Sequence, residues 1–247
     1  MSARIIRIED LTYESFEQAS IYVDACFLLA FLDENGGEDG ELVERVLTKL
    51  QADKINKLLI SNHVFSEVVQ HLFIGHIYNI IYIAYRKFQL RERVSEKENE
   101  YLGNPFIAQK LMQLVDSQKL ERIQSGKEVY IPVKETIKAY KERYIDRNEL
   151  NYYYESVLKT FNDLLINLSE LFEIEIAHVA SDEKTFHLAE GFIKELQLEV
   201  KDALHLAVAK QHEADYFATL DGDFVHNFYT EDHLNGTAIF HISNRFI

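Results

Sequence analysis

Residues 199–224 read EVKDALHLAVAKQHEADYFATLDGDF, and the organisation of the chain can be worked out from this stretch. Asp202 opens an alanine-rich segment in which Ala203, Leu206, Ala207 and Ala209 recur at helical spacing, small enough for close packing. The run YFATL (216–220) follows and stops at Asp221, as a short buried strand with an acid at its end would. A helix feeding a short buried strand is the building unit of an α/β domain with a parallel sheet.

The same grammar recurs outward. IYV (21–23) stops at Asp24, then ACFLLAFL continues with helical character to the loop DENGGEDG, punctuated by Gly36, Gly37 and Gly40. Leu42, Val43, Val46, Leu47 and Leu50 mark a helix, and KLLIS (57–61) a second buried strand. Asn62 is placed to cap the next helix, which carries Glu67 and keeps an apolar pattern from Phe65 to Ala84. Gly103, Asn104 and Pro105 break the pattern and a new helix starts at Pro105. EVYIPV (128–133) reads as extended or as an edge strand because of Pro132. Helices are expected over 133–145, 150–171 and 182–196, with further strands at 174–180 and 237–242. The expected fold class is α/β, an α/β/α sandwich around a mostly parallel sheet, with a helical subdomain inserted.

Ligands of such sheets bind beyond the strand C-termini. Asp24 and Asp221 fall at that edge, and Glu67 and Asp202 lie one turn into helices beside it. Carboxylates converging from distant parts of a chain repel one another unless a cation neutralises them, which predicts a divalent-metal site. Each acid also has a plainer reading as a turn-former or helix cap. Asp223 is either a fifth metal ligand or a cap for the turn containing Phe224. Thr219 either bonds a metal ligand or fills its strand. Cys26, the only cysteine, reads as a small buried hydrophobe. His63, Glu67 and His71 share a helix face, but without the HExxH spacing this reads as a polar stripe. His205 reads as a packed or supporting residue.

Three segments, IYVDACFLLAFL (21–32), LISNHVFSEVV (59–69) and residues 199–224, together resemble PIN-domain nucleases, the fold of the virulence-associated-protein-C toxins. TLDGDF matches the Thr-x-Asp-x-x-Phe pattern of that family. The resemblance covers both ends of the chain and implies a catalytic domain of 1–75 and 172–247, with 76–171 as a helical insertion longer than the compact toxins carry. It implies a metal-dependent endoribonuclease leaving 5′-phosphate and 3′-hydroxyl ends. Asp24, Glu67, Asp202 and Asp221 would be the catalytic and metal-binding acids, joined by Asp223, and Mg²⁺ or Mn²⁺ the cofactor. RNA is the implied partner; a toxin role with a protein inhibitor, an RNA-processing role and a homodimer are all compatible with it. A catalytically inactive module of the same fold that binds protein or RNA is the alternative. A phosphatase reading of Asp221-Gly222-Asp223 fails on its position near the C-terminus and on Phe224 after the pair.

The net charge of −15 argues against a nucleic-acid partner until its distribution is considered. Residues 86–147 hold fourteen Lys and Arg against ten Asp and Glu, while the rest holds twelve against thirty-one. Ten of the fourteen tyrosines fall within 78–154. Interleaved with Arg86, Arg91 and Arg93 they could grip a single strand by phosphate pairing and base stacking, with Thr219 as a further substrate contact. The plain alternative is helix faces laced with ion pairs over a tyrosine-rich core. No membrane span is expected, since the longest apolar run ends at Arg86, and the first twenty residues lack a signal-peptide core. A cytoplasmic location is expected, with Cys26 unable to form an intramolecular disulfide.

Overall fold

Six short strands lie side by side, all parallel, in one sheet of a computed structural model that describes residues 3–33, 37–128, 130–225 and 229–243. They are β1 (Ile5–Arg7), β2 (Ser20–Val23), β3 (Lys57–Ser61), β4 (Ile176–Val179), β5 (Tyr216–Thr219) and β6 (Ala238–His241), in spatial order β1-β6-β5-β2-β3-β4. Helices flank this sheet, so the fold is α/β with the layering the pattern predicts. The central strands read as unbroken apolar runs because both faces are covered. Ile21, Tyr22, Val23, Leu58, Ile60, Phe217, Ala218, Ile239 and Phe240 are all buried. The three-residue β1, paired with β6, has no pattern long enough to be read from sequence.

The chain divides into two compact units, residues 1–68 with 162–247, and residues 69–161. The boundaries fall several residues before those expected, and both lie inside helices. These are α3 (Asn62–Ala84) and α8 (Asn151–Phe172), each of which runs on through the division. Besides parts of these two, the first unit holds α1 (Ala25–Phe31) and α2 (Glu38–Ala52). It also holds α9 (Glu183–Leu196), α10 (Val200–Gln211) and α11 (Glu231–Leu234), with α10 packed on α9 through its small residues. Gly36 of the expected loop lies outside the described residues.

The second unit is helical, with α4 (Glu96–Leu102), α5 (Pro105–Gln113), α6 (Ser117–Gln124) and α7 (Val133–Arg143). Short α4 and α6 escaped the sequence reading, yet their starts are signalled: Ser95 and Glu98 form a reciprocal capping box, and Asp116 accepts from the N–H of Gln118 and Lys119. Asn104 and Pro105 start α5 as expected. The EVYIPV segment is no strand among its described residues: Pro132 precedes α7, and Val129 lies outside them. The core of this unit gathers Ile77, Ile80, Ile81, Ala108, Leu111 and Ile137 with the buried rings of Tyr85, Tyr140 and Tyr153. Tyr154 stacks on Phe73 with centroids 4.2 Å apart. Three of the ten tyrosines are thus core, and Tyr78, Tyr82, Tyr144 and Tyr154 pack against it partly buried.

One helical stretch, Asn62–Gln89, is long and apolar enough by length and composition to cross a bilayer, where the sequence reading expected none. Part of it, 39% of the most apolar window, is buried within the protein. Val64 and Val68 are buried in the first unit, and Ile77, Ile80, Ile81 and Ala84 belong to the core of the second.

Candidate functional site

β2 and β5 are neighbours in register, Tyr22 beside Phe217 and Val23 beside Ala218. From β2 the sheet extends through β3 to β4 on one side, and through β5 to β6 and β1 on the other. A crevice opens beyond the strand C-termini where connections leave in opposite directions. Asp24 is the first residue after β2, and Asp221 follows β5 by two residues. Strand pairing alone thus brings these two acids together.

Asp24 is buried and caps α1: its Oδ1 accepts the Phe27 N–H at 2.9 Å. Its Oδ2 accepts from the Thr219 hydroxyl at 2.5 Å, and that hydroxyl in turn accepts the Asp221 N–H at 2.9 Å. Thr219 is fully buried and its hydroxyl is committed to the Asp24 carboxylate and the Asp221 N–H, so it supports the acids rather than presenting the expected substrate contact. Asp221 Oδ1 accepts the Asp223 N–H and caps the tight turn Gly222–Phe224. The cap is therefore Asp221, and Asp223 is the residue capped.

The helix carrying Glu67 starts directly after β3, and its cap is Ser61, whose Oγ accepts the Val64 N–H at 3.3 Å. Asn62, expected in that role, instead accepts the Ser181 hydroxyl at 2.9 Å. Glu67 Oε1 lies 3.6 Å from both His205 Nε2 and Lys201 Nζ, which stand on successive turns of α10 beside Asp202. His205 is buried, and its Nδ1 is 2.7 Å from the Tyr22 hydroxyl, itself 2.8 Å from Ser61 Oγ. His63 does not pair with His71 as a metal couple. Its Nε2 bonds Ser181 Oγ at 2.6 Å, and its ring meets His205 edge-on.

The electrostatics show that the acids share one region. Burial pushes the Asp24 carboxyl up, and nearby Asp221 adds to the push. Asp202 rises to about 6 through burial and the charge of Asp221. Glu67 is held below the usual carboxylate range, chiefly by His205 and then by Lys201. The Cys26 thiol is the most telling probe: burial and then Asp24, Asp221, Glu67 and Asp202 push it up to about 12. All four acids act on that one sulfur. Cys26 is nevertheless exposed, contrary to the buried hydrophobe expected, because the seven-residue α1 buries Ala25, Phe27 and Leu28 and turns position 26 outward.

An all-oxygen, carboxylate-rich donor set suits a hard divalent cation such as Mg²⁺ or Mn²⁺. Among the described residues, no three His, Cys, Asp or Glu side chains stand ready-made as ligands to one ion. Lys201 and His205 engage Glu67 on the α10 side of the site. The chemistry of the donors suits such an ion.

In the second unit Arg86 is committed elsewhere: its guanidinium pairs with Glu92 at 2.9 Å and Glu98 at 2.5 Å. It lines a cleft of about 380 Å³ with Tyr82, Tyr101 and the exposed Lys97. Arg91 and Arg93 are exposed and make no ion pair among the described residues. Lys110 pairs with Glu149, and Lys119 and Arg122 with Glu128, so much of the local cation excess is matched within the unit.

Tyr22, Ser61 and Lys201 were not singled out in the sequence. Lys201 and His205 were legible as an i, i+4 pair flanking Asp202. Tyr22 and Ser61 gave no signal, because their partners come from other elements. Comparison with protein-family models, curated proteins and solved structures found no match to this chain.

Proposed function

We propose that the first unit is a divalent-cation-dependent nuclease that hydrolyses phosphodiester bonds in RNA. The observation that carries this reading is the convergence of Asp24, Glu67, Asp202 and Asp221 on the neighbourhood of Cys26, with Asp24 and Asp221 tied through Thr219. Asp221 pushes both Asp24 and Asp202 up at the sheet's topological switch point, a cost that a cation would offset. A bound Mg²⁺ or Mn²⁺ supplies charge neutralisation at the scissile phosphate and acidifies a coordinated water. In this reading Asp24 and Asp221 would hold such an ion, with Asp202 and Glu67 flanking them. Asp202, pushed up to about 6, is still mostly ionised at neutral pH and is suited to accept a proton from an attacking water. Lys201, beside Asp202 and well exposed, is placed to meet a phosphate oxygen. The geometry that orients each acid comes from the backbone: two strand ends and the first turns of two helices.

The test incubates purified protein with mixed structured and single-stranded RNAs, with Mg²⁺ or Mn²⁺. Cleavage that disappears in Asp24→Asn, with the fold kept by circular dichroism, is the expected result. An Asp24→Asn variant as active as the parent sinks the assignment. The lack of a ready-made ligand group favours one competitor, an inactive module of this fold that binds a protein or RNA. Calorimetric Mn²⁺ binding, lost in Asp24→Asn, separates the two.

A further inference from the structure

Behind the acid cluster a line of buried hydrogen bonds continues beyond the Ser61 cap of α3. Val64 N–H donates to Ser61 Oγ at 3.3 Å, Ser61 Oγ lies 2.8 Å from Tyr22 Oη, and Tyr22 Oη lies 2.7 Å from His205 Nδ1. Beyond the ring, His205 Nε2 faces Glu67 Oε1 at 3.6 Å. Ser61, Tyr22 and His205 are all buried. A phenylalanine at position 22 would fill the sheet equally well without bringing a hydroxyl into the interior, where an unpaired polar group costs about 1–3 kcal/mol.

The polarity of the line follows from donor counting. At one end stands a backbone N–H, which only donates; at the other a carboxylate, which only accepts. Each hydroxyl has one proton. The arrangement that leaves no buried donor idle runs from Ser61 to Tyr22, from Tyr22 to His205 Nδ1, and from His205 Nε2–H toward Glu67. Which ring nitrogen carries hydrogen is set by the bond the other makes.

We infer that Ser61, Tyr22 and His205 form a relay that positions Glu67, with Tyr22 fixing the tautomer that aims His205 Nε2–H at the carboxylate. His205 and Tyr22 are then positioning residues; neither touches the reacting atoms. The relay joins β2, β3, α3 and α10, so the orientation of Glu67 is referred to the rigid centre of the sheet. Partners of this kind behind a metal-binding carboxylate are worth about 10- to 100-fold in metal affinity. The effect on the cation rests on the function proposed above; the tautomer and the hold on Glu67 do not.

The experiment uses the full chain, with imidazole nitrogens and Glu side-chain carbons isotope-labelled, and Mn²⁺ alone as the probe. Nitrogen shifts of His205 should show an unprotonated Nδ1 and a protonated Nε2 in the parent, and a mixture of tautomers in Tyr22→Phe. Mn²⁺ affinity should fall about tenfold or more in His205→Ala and Tyr22→Phe, while His205→Gln, whose amide NH₂ replaces Nε2–H, stays within about threefold of the parent. Tyr22→Phe and His205→Gln carry the test if His205→Ala does not fold. A protonated Nδ1 in the parent overturns the relay. So does a folded His205→Ala that binds Mn²⁺ as tightly as the parent. If the parent binds no Mn²⁺, the cation-site reading falls alone. The relay is then decided by the Glu67 carboxyl resonance, which moves or broadens in Tyr22→Phe if the relay holds it and stays unchanged if it does not.

Discussion

The Thr219 hydroxyl donates to Asp24 Oδ2 and, through its lone pair, accepts the backbone N–H of Asp221. One buried side chain, 195 positions from Asp24, thereby couples the carboxylate after β2 to the backbone carrying the carboxylate after β5. Thr219→Val keeps the shape and removes both bonds. Leaving Asp24 Oδ2 and the Asp221 N–H short of partners should destabilise the protein by about 1–3 kcal/mol in urea unfolding. Thr219→Ser should recover most of it. Equal stability of the Val and parent proteins would show that the hydroxyl contributes nothing.

Asp202 titrates near 6 in the folded protein against an ordinary 3.8, and Asp24 is shifted in the same direction. Between pH 4 and 6 the folded state therefore holds a proton that the unfolded chain has released. Stability contributed by this site falls as pH rises through that window, then levels off. Asp202→Asn should flatten the slope and raise the melting temperature at pH 7. Solvent screening keeps the gain to about 1 kcal/mol, roughly 2–4 °C. Under the proposed function, stabilisation by Mn²⁺ should grow above pH 6. Melting curves from pH 4 to 8 decide it, and an unaltered slope in Asp202→Asn refutes the assignment.

The Cys26 thiol, exposed yet pushed up to about 12 from an ordinary 9.0, should react unusually slowly with iodoacetamide. At pH 8 its thiolate fraction should be well below that of a free cysteine. A divalent cation that neutralises the surrounding carboxylates should speed the reaction, by about tenfold or more. Rates that ignore Mg²⁺ and Mn²⁺ alike would count against a cation at this cluster.

In the second unit the arginines should separate into two behaviours. Arg86→Ala breaks the pairs to Glu92 and Glu98 and should cost about 0.5–1 kcal/mol of stability. Arg91→Glu with Arg93→Glu, both exposed, should leave stability nearly unchanged. If this unit grips RNA, the double charge reversal should weaken binding and reduce its salt dependence; unaltered salt slopes would assign the unit a scaffolding role.

Much of the first unit was legible in the chain because a buried strand and an amphipathic helix each bury a local, periodic set of side chains. The runs ending at Asp24, at Ser61 and before Asp221 became β2, β3 and β5. Reading failed where an element is too short to show a period, as in β1, α4 and α6. It failed also where two plausible caps adjoin, as with Ser61 and Asn62. The burial of Tyr85 and the pairing of Arg86 were likewise undecided, since an aromatic or a cation on a helix looks the same whether it meets solvent or a neighbour.

What the sequence determined by itself is the inventory: four acids placed at the ends of strands or the starts of helices, and the α/β class that goes with them. What only the tertiary structure decided is adjacency. That β5 lies against β2, that Thr219 joins Asp24 to Asp221, and that Tyr22 reaches His205 depend on contacts between residues 183 to 195 positions apart. Local propensity is silent on such pairs, because their energy arises only once the sheet has closed and excluded water from between them.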